Sequence, residues 1–198
     1  MKNIKKLYAL NISIIDVAFG ILLGILFERY SKISSTASRL LFFLTIAIII
    51  NYYYTYRKWV EKIGQIVKKT ILLDIITDLG MVFFGYQLVY TFNNSKPDDY
   101  YIWFMTLYLM DTIWILERVF VHHVSRFQIN LFKFWILTDL FVFIILFILR
   151  NRFLRLHQFF PIGLMIFTFV ITFCMDPFYE SLIKKLLNRK KKEKLTVD

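Results

Sequence analysis

The stretch "ILLDIITDLGMVFFGYQLV" (residues 71–89) places Asp74 and Asp78 inside an otherwise apolar run. It approaches the length of about 20 apolar residues that a helix needs to cross a bilayer. The two acids are four positions apart, so they share one face of a helix. Acids inside membrane helices normally face the bundle interior or a wet cavity, which makes these two candidates for more than packing.

The rest of the chain fits the same membrane class. Of its 198 residues, 58% are hydrophobic and the mean hydropathy is +0.57, above the about 45–50% that is usual in soluble domains. We predict an all-α integral protein of the cell membrane, with residues 1–183 as a transmembrane domain and 184–198 as a basic tail. Six spans are expected, at 7–27, 39–57, 70–92, 100–120, 131–149 and 157–180.

Basic residues are distributed unevenly between the two sides of these spans. With alternating spans, 18 of the 25 Lys and Arg fall on the side that holds both termini. The positive-inside rule then predicts that both termini are cytoplasmic. The tail "KKLLNRKKKEK" (184–194) is expected to rest on anionic lipid headgroups, and nucleic acid is disfavoured as a partner.

The odd-numbered spans carry a weak internal repeat. Asp16, Asp78 and Asp139 lie near their starts at intervals of 62 and 61 residues, which suggests three similar helical hairpins. Gly20 and Gly24 form a GxxxG pair, for which we expect close packing within the chain. "SKISSTASR" (31–39) offers Ser and Thr caps for the second span.

Every span contains one polar residue about 9–15 Å from its cytoplasmic end, at about 1.5 Å per helical residue. An acid in this position costs about 2.5–3.5 kcal/mol on insertion scales, so we predict that these residues form one interior layer. Asp74 would extend the layer toward the cytoplasm. The six members are Asp16, Asn51, Asp78, Asp111, Asp139 and Asp176.

Five carboxylates in a small space must protonate, pair with basic side chains or bind a cation. Pairing is one alternative, with Arg57, Arg118 and Lys133 within reach at span ends. Arg118 is seven residues from Asp111, whereas Glu117 is expected nearer to solvent. The protein would then be a non-catalytic membrane partner or effector whose acids lock helix packing.

A cation or proton pathway is the second alternative. Oxygen-rich layers suit hard cations and protons, and Thr77 and Thr138 beside two of the acids would add neutral ligands. No cofactor is expected other than a bound cation, and the identity of any metal stays open. Such a pathway would run through one bundle or a homo-oligomer, or involve another membrane protein.

An enzyme is the third alternative and the least favoured. "DIITD" (74–78) resembles the spaced-acid magnesium motifs of membrane prenyltransferases and alcohol phosphotransferases, but its surroundings depart from both. Asp78 is followed by Leu-Gly-Met-Val, where the phosphotransferases need Gly-x-x-Ala-Arg. No catalytic residue is therefore predicted.

The first span, "IIDVAFGILLGILFE" (14–28), resembles the first helix of six-span endolysosomal potassium channels and their prokaryotic relatives. Asp16, Phe19 and Ile21 match the family's Asp, Phe and Ile, whereas its preceding Arg, Phe and Ser are not matched. The likeness covers about a dozen residues. It implies a cation channel of two or more copies with an apolar constriction in this span. We predict cation or proton passage at the acidic layer.

Overall fold

The computed structural model describes residues 2–33, 35–63, 71–92, 97–121, 126–153 and 159–195. Side chains are described for a smaller set, which leaves out residues 1–9, 59–72, 121–126, 175–177 and 186–198 among others. This part of the chain is all helical. Its six helices are α1 (Lys2–Tyr30), α2 (Thr36–Ile63), α3 (Ile71–Thr91), α4 (Pro97–Val121), α5 (Arg126–Phe153) and α6 (Phe159–Leu195).

Local sequence explains several of the helix ends. Ser35 precedes α2, and its Oγ accepts a hydrogen bond of 3.0 Å from the Ser38 backbone N–H, as expected of an N-cap. Pro97 opens α4, where the N–H that proline lacks would have no partner inside the helix. At the end of α3, the Arg29 guanidinium of α1 donates to the Tyr90 carbonyl over 3.1 Å, a favourable place for a cation.

Each helix has 21 to 37 residues, which spans about 31 Å or more at about 1.5 Å per residue. By length and composition together, three helices in the described part can cross a membrane, through Thr36–Lys58, Leu73–Thr91 and Phe127–Arg150. A shorter apolar segment runs from Phe160 to Cys174. The predicted boundary between residues 183 and 184 falls inside α6.

Large apolar side chains cover the outside of the bundle. Phe120 is 82% exposed, and Leu137 and Phe141 are each 65% exposed. Every helix contributes to this surface, with Val17, Phe43, Phe83, Phe120, Phe141 and Phe167 as one example from each. Such a continuous apolar surface is unusual for a protein in water and is the expected exterior of one in lipid.

The helices pack as two groups of three. Each of α1, α2 and α3 contacts the other two, and so does each of α4, α5 and α6. The groups meet where α3 contacts α4 and where α2 contacts α6. Among the described residues, no Cα atom of α2 comes within 8 Å of one in α4.

The prediction for the glycine pair is wrong. A Cβ atom added at Gly20 or Gly24 would meet nothing within 4 Å. Gly85 instead lies close to another helix, because its added Cβ would be 3.2 Å from Leu22 Cδ1. The contact between α1 and α3 thus uses a glycine of α3, and the GxxxG face of α1 is open.

One buried hydrogen bond joins α2 to α4. Thr45 Oγ1 and Tyr100 Oη share it over 2.9 Å, and both side chains are fully buried. The next residue also links helices, because Tyr101 Oη donates to the Leu146 carbonyl of α5 over 2.7 Å. Tyr100 and Tyr101 thereby link the start of α4 to α2 and to α5.

Replacing Tyr100 by Phe tests the link to α2. We expect the free energy of unfolding to fall by about 0.6–1.5 kcal/mol, because Thr45 loses a buried partner while the ring is kept. The measurement is unfolding by SDS in mixed micelles, followed by helical circular dichroism. Tyr54→Phe is the matched control, since Tyr54 is 65% exposed on α2. Equal stability of the two variants would contradict the assignment.

Candidate functional site

The acids of α3 lie on its inward face. Asp74, Thr77, Asp78 and Met81 are all buried, and their spacing of three and four residues defines one stripe of the helix. Leu73, Ile76 and Phe83 lie on the exposed side. The helix is thus turned with its carboxylates toward protein and its large apolar side chains outward, as its sequence predicted.

Arg118 of α4 binds both of these carboxylates. Its Nη2 donates to Asp78 Oδ1 over 2.6 Å, and its Nη1 is 3.0 Å from Asp74 Oδ1. Trp114, one turn earlier, donates from Nε1 to the same Asp78 oxygen over 2.9 Å. The Trp114 ring also lies under the guanidinium, with 5.0 Å from Cζ to the ring centre.

Glu117 belongs to the same cluster, contrary to the expectation that it lies near solvent. It is buried, and its Oε2 is 3.2 Å from Arg118 Nε. Burial follows from the position of α4 between α3, α5 and α6, which turns most of its faces toward protein. We define the ionic cluster as Asp74, Asp78, Glu117 and Arg118. Three carboxylates around one guanidinium leave a formal charge of −2, which bound protons or a further cation must offset.

A second group of predicted residues lines a cavity between the two halves of the bundle. Asn51 of α2, Asp111 of α4 and Asp139 of α5 lie in its wall. Its volume is about 60 Å³. Asp139 is buried, whereas Asp111 and Asn51 are half-buried. We call this space the central cavity.

A smaller cavity lies next to the central cavity, on the side of α1 and α3. It has a volume of about 20 Å³, and Asp78 and Asp111 both line it. Tyr52, Thr55 and Trp114 line both spaces, as does Asp111. Asp111 therefore stands between the ionic cluster and the central cavity.

The remaining predicted residues are more dispersed. Asp16 Oδ2 is 3.5 Å from Arg57 Nη1, in a pair that is about one third exposed on both sides. Lys133 is exposed on α5. Asp176 belongs to α6, but its side chain lies outside the described residues. No group of three His, Cys, Asp or Glu side chains with the geometry of a metal site occurs in the described part.

The threonines beside the acids bond mainly to their own helices. Thr77 Oγ1 donates toward the Leu73 and Asp74 carbonyls, each 3.1 Å away, and Thr138 Oγ1 donates to the Phe134 carbonyl over 2.9 Å. Their hydroxyl protons are thus used locally. Of the two, only Thr138 lines the central cavity.

Sequence reasoning missed Trp114 and Tyr108 as companions of the acids. Tyr108, Asp111, Trp114 and Arg118 are spaced by three, three and four residues, so they follow one face of α4. That spacing was the available signal. Tyr108 lines the central cavity together with Thr172 of α6, so α6 packs near the same face of α4.

Comparison with known proteins identifies no relative of the chain. No protein-family model, curated protein or solved structure matches the chain. The functional argument therefore depends on the geometry of the two acidic groups.

Replacing Arg118 by Met tests the ionic cluster. Removing the guanidinium leaves buried carboxylates without their shared cation, and we expect a loss of about 3–5 kcal/mol in the free energy of unfolding. Adding Asp78→Asn should recover part of that loss, because it removes one of the stranded charges. SDS unfolding followed by circular dichroism gives both values.

Lys133→Met is the matched control, as it removes a basic side chain from an exposed position of α5. Its effect should stay within about 0.5 kcal/mol. A loss of unfolding free energy in Arg118→Met as small as that of this control would contradict the role assigned to the cluster. A double variant of Arg118→Met and Asp78→Asn that is less stable than Arg118→Met alone would contradict it as well.

Proposed function

We propose that the protein is a multi-pass cell-membrane protein of six spans that binds and passes cations or protons at the central cavity. In this proposal both termini are cytoplasmic, and the basic tail contacts anionic lipids. Asp111 and Asp139 bind the cation, and Asn51 supplies a neutral oxygen. Asp74 and Asp78 have a different task, because Arg118 already binds both.

One observation carries the proposal. The central cavity is lined by two carboxylates, the amide of Asn51 and the hydroxyl groups of Thr55, Thr138 and Thr172. Two acids that share a cavity wall with neutral oxygen atoms attract protons or hard cations.

Flux measurements test the proposal. The protein is reconstituted in liposomes, and the movement of protons, sodium, potassium, magnesium and manganese is followed with ion-sensitive dyes. We expect Asp111→Asn and Asp139→Asn each to lower the flux at least tenfold, because each removes a charge from the cavity wall. Thermal unfolding in detergent should show that both variants stay folded.

Asp99→Asn is the matched control. Asp99 is exposed in the first turn of α4 and does not line the cavity. The ion flux of the Asp99→Asn variant should therefore equal that of the wild type. Wild-type liposomes without flux of any of these ions would overturn passage. So would a flux that Asp111→Asn and Asp139→Asn leave unchanged.

A second candidate function has its own support. The ionic cluster joins α3 to α4 and uses three acids for packing, as expected of a partner or effector protein whose buried charges only fix helices. This candidate predicts a stable reconstituted protein without flux of any ion. The same liposome flux measurements therefore distinguish a protein that passes ions from a partner protein that does not.

A further inference from the structure

The central cavity and the smaller cavity have room for water. A buried water molecule needs at least about 10–15 Å³ of volume open to its centre, and two to four polar partners. The central cavity, at about 60 Å³, therefore holds about four water molecules, and the smaller cavity, at about 20 Å³, holds about one. This volume suits a short chain of water molecules and excludes a larger organic ligand.

Both cavities also supply the polar partners that buried water requires. The smaller cavity is lined by the Asp78 and Asp111 carboxyl groups and by the hydroxyl groups of Tyr52, Thr55 and Tyr56. The wall of the central cavity contains six amide, hydroxyl or carboxyl side chains apart from its tyrosines: Asn51, Thr55, Asp111, Thr138, Asp139 and Thr172. Water in either cavity therefore has donors and acceptors within the wall.

The two cavities adjoin each other at polar side chains. Tyr52, Thr55, Asp111 and Trp114 line both of them. Water on either side can thus hydrogen-bond to the same Asp111 carboxyl group. The polar track runs from Asp78 through Asp111 to Asp139.

The same walls distinguish a proton from a metal ion. Magnesium takes about six oxygen ligands and calcium about six to eight, from protein or from water. Such a hydrated ion needs more than the about four water volumes of the central cavity. Eight of the sixteen lining residues are Phe, Tyr or Trp, whose rings do not replace lost water ligands. A proton moves along hydrogen bonds and needs no such shell.

A carboxyl group in a proton relay keeps its hydrogen bonds to protein. Each carboxylate has about four acceptor positions on its two oxygens, so it binds a protein donor and water together. Asp78 already accepts from two donors on one oxygen, Trp114 Nε1 and Arg118 Nη2. The relay therefore needs no unpaired charge, only a carboxyl group that water reaches.

We infer that the two cavities form one water-filled proton relay with Asp111 at the junction. Asp111 takes a proton from a protonated water on one side and releases a proton to a water on the other, so its charge is restored after each transfer. Asp, Glu and His side chains serve such relays in membrane proteins. This inference rests on the proposed function and names the proton as the ion that passes.

Hydroxyl-radical footprinting of the full-length wild-type protein tests whether the cavities contain water. Millisecond radiolysis produces radicals from water inside the protein, and mass spectrometry locates the oxidised side chains. Trp114 is 4% exposed and lines both cavities, so rapid labelling there reports cavity water. Tyr100 is fully buried, lines neither cavity and should be labelled at least tenfold more slowly. Equally slow labelling of Trp114 and Tyr100 would overturn the inference.

Flux measurements then test the relay. Liposomes with a valinomycin-induced voltage and internal pyranine report proton entry, and dyes report sodium, potassium, magnesium and manganese. We expect proton flux, without metal-ion flux above that of protein-free liposomes. Asp111→Asn should lower the proton flux at least tenfold, and Asp111→Glu, which keeps a carboxyl group, should retain more of it.

Thr55→Leu tests the junction without removing a charge. Its larger apolar side chain should displace water where the cavities adjoin, and lower both the proton flux and the labelling of Trp114 at least tenfold. Thr106→Leu is the matched control, because Thr106 is half-buried as Thr55 is but lines neither cavity. Thermal unfolding in detergent identifies any variant that does not fold.

The outcomes separate this inference from the proposed function. Metal-ion flux that depends on Asp111, without proton flux, would retain passage and overturn the relay. Proton flux that is the same in the wild type, Asp111→Asn and Thr55→Leu would overturn the junction at Asp111. No flux of any ion would overturn the proposed function and the relay together.

Discussion

The ion pairs of the buried Arg118 guanidinium are the constraint on which the packing of α4 against α3 depends. In a low-dielectric interior an unpaired charge is strongly destabilising, so Arg118 and the carboxylates of Asp74 and Asp78 must meet. Their meeting fixes how α4 is rotated and placed along α3. The rest of α4 follows as a rigid helix, which sets the positions of Trp114, Asp111 and Tyr108 relative to the two cavities.

The same residue type has two different surroundings within a short distance. Asp78 has a guanidinium and an indole N–H on one oxygen, whereas Asp139 lies in the wall of a cavity beside aromatic and hydroxyl side chains. Pairing and cation binding were competing explanations of all the acids together. The geometry supports assigning them to different acids, with packing in the ionic cluster and ligand binding proposed for the central cavity.

Much of the fold and part of the site follow from sequence patterns. Helical character, apolar length and the inward face of Asp74 and Asp78 are local properties, because they depend on spacing along one helix. Ser35 as a cap is local as well. The burial of Glu117 and the empty space beside Gly20 and Gly24 depend on which helices become neighbours. The residue pattern of a single helix does not determine its neighbours.

The sequence by itself determined that the chain is helical and rich in apolar residues, and that acids recur inside its apolar runs. Those features follow from composition and from the 3.6-residue period of the helix. Only the tertiary structure decided that Arg118 belongs to Asp74 and Asp78, and that Asp111 and Asp139 meet aromatic rings around a cavity. Polar side chains on six helices can combine in many ways, and the packing of two three-helix groups selects one of them.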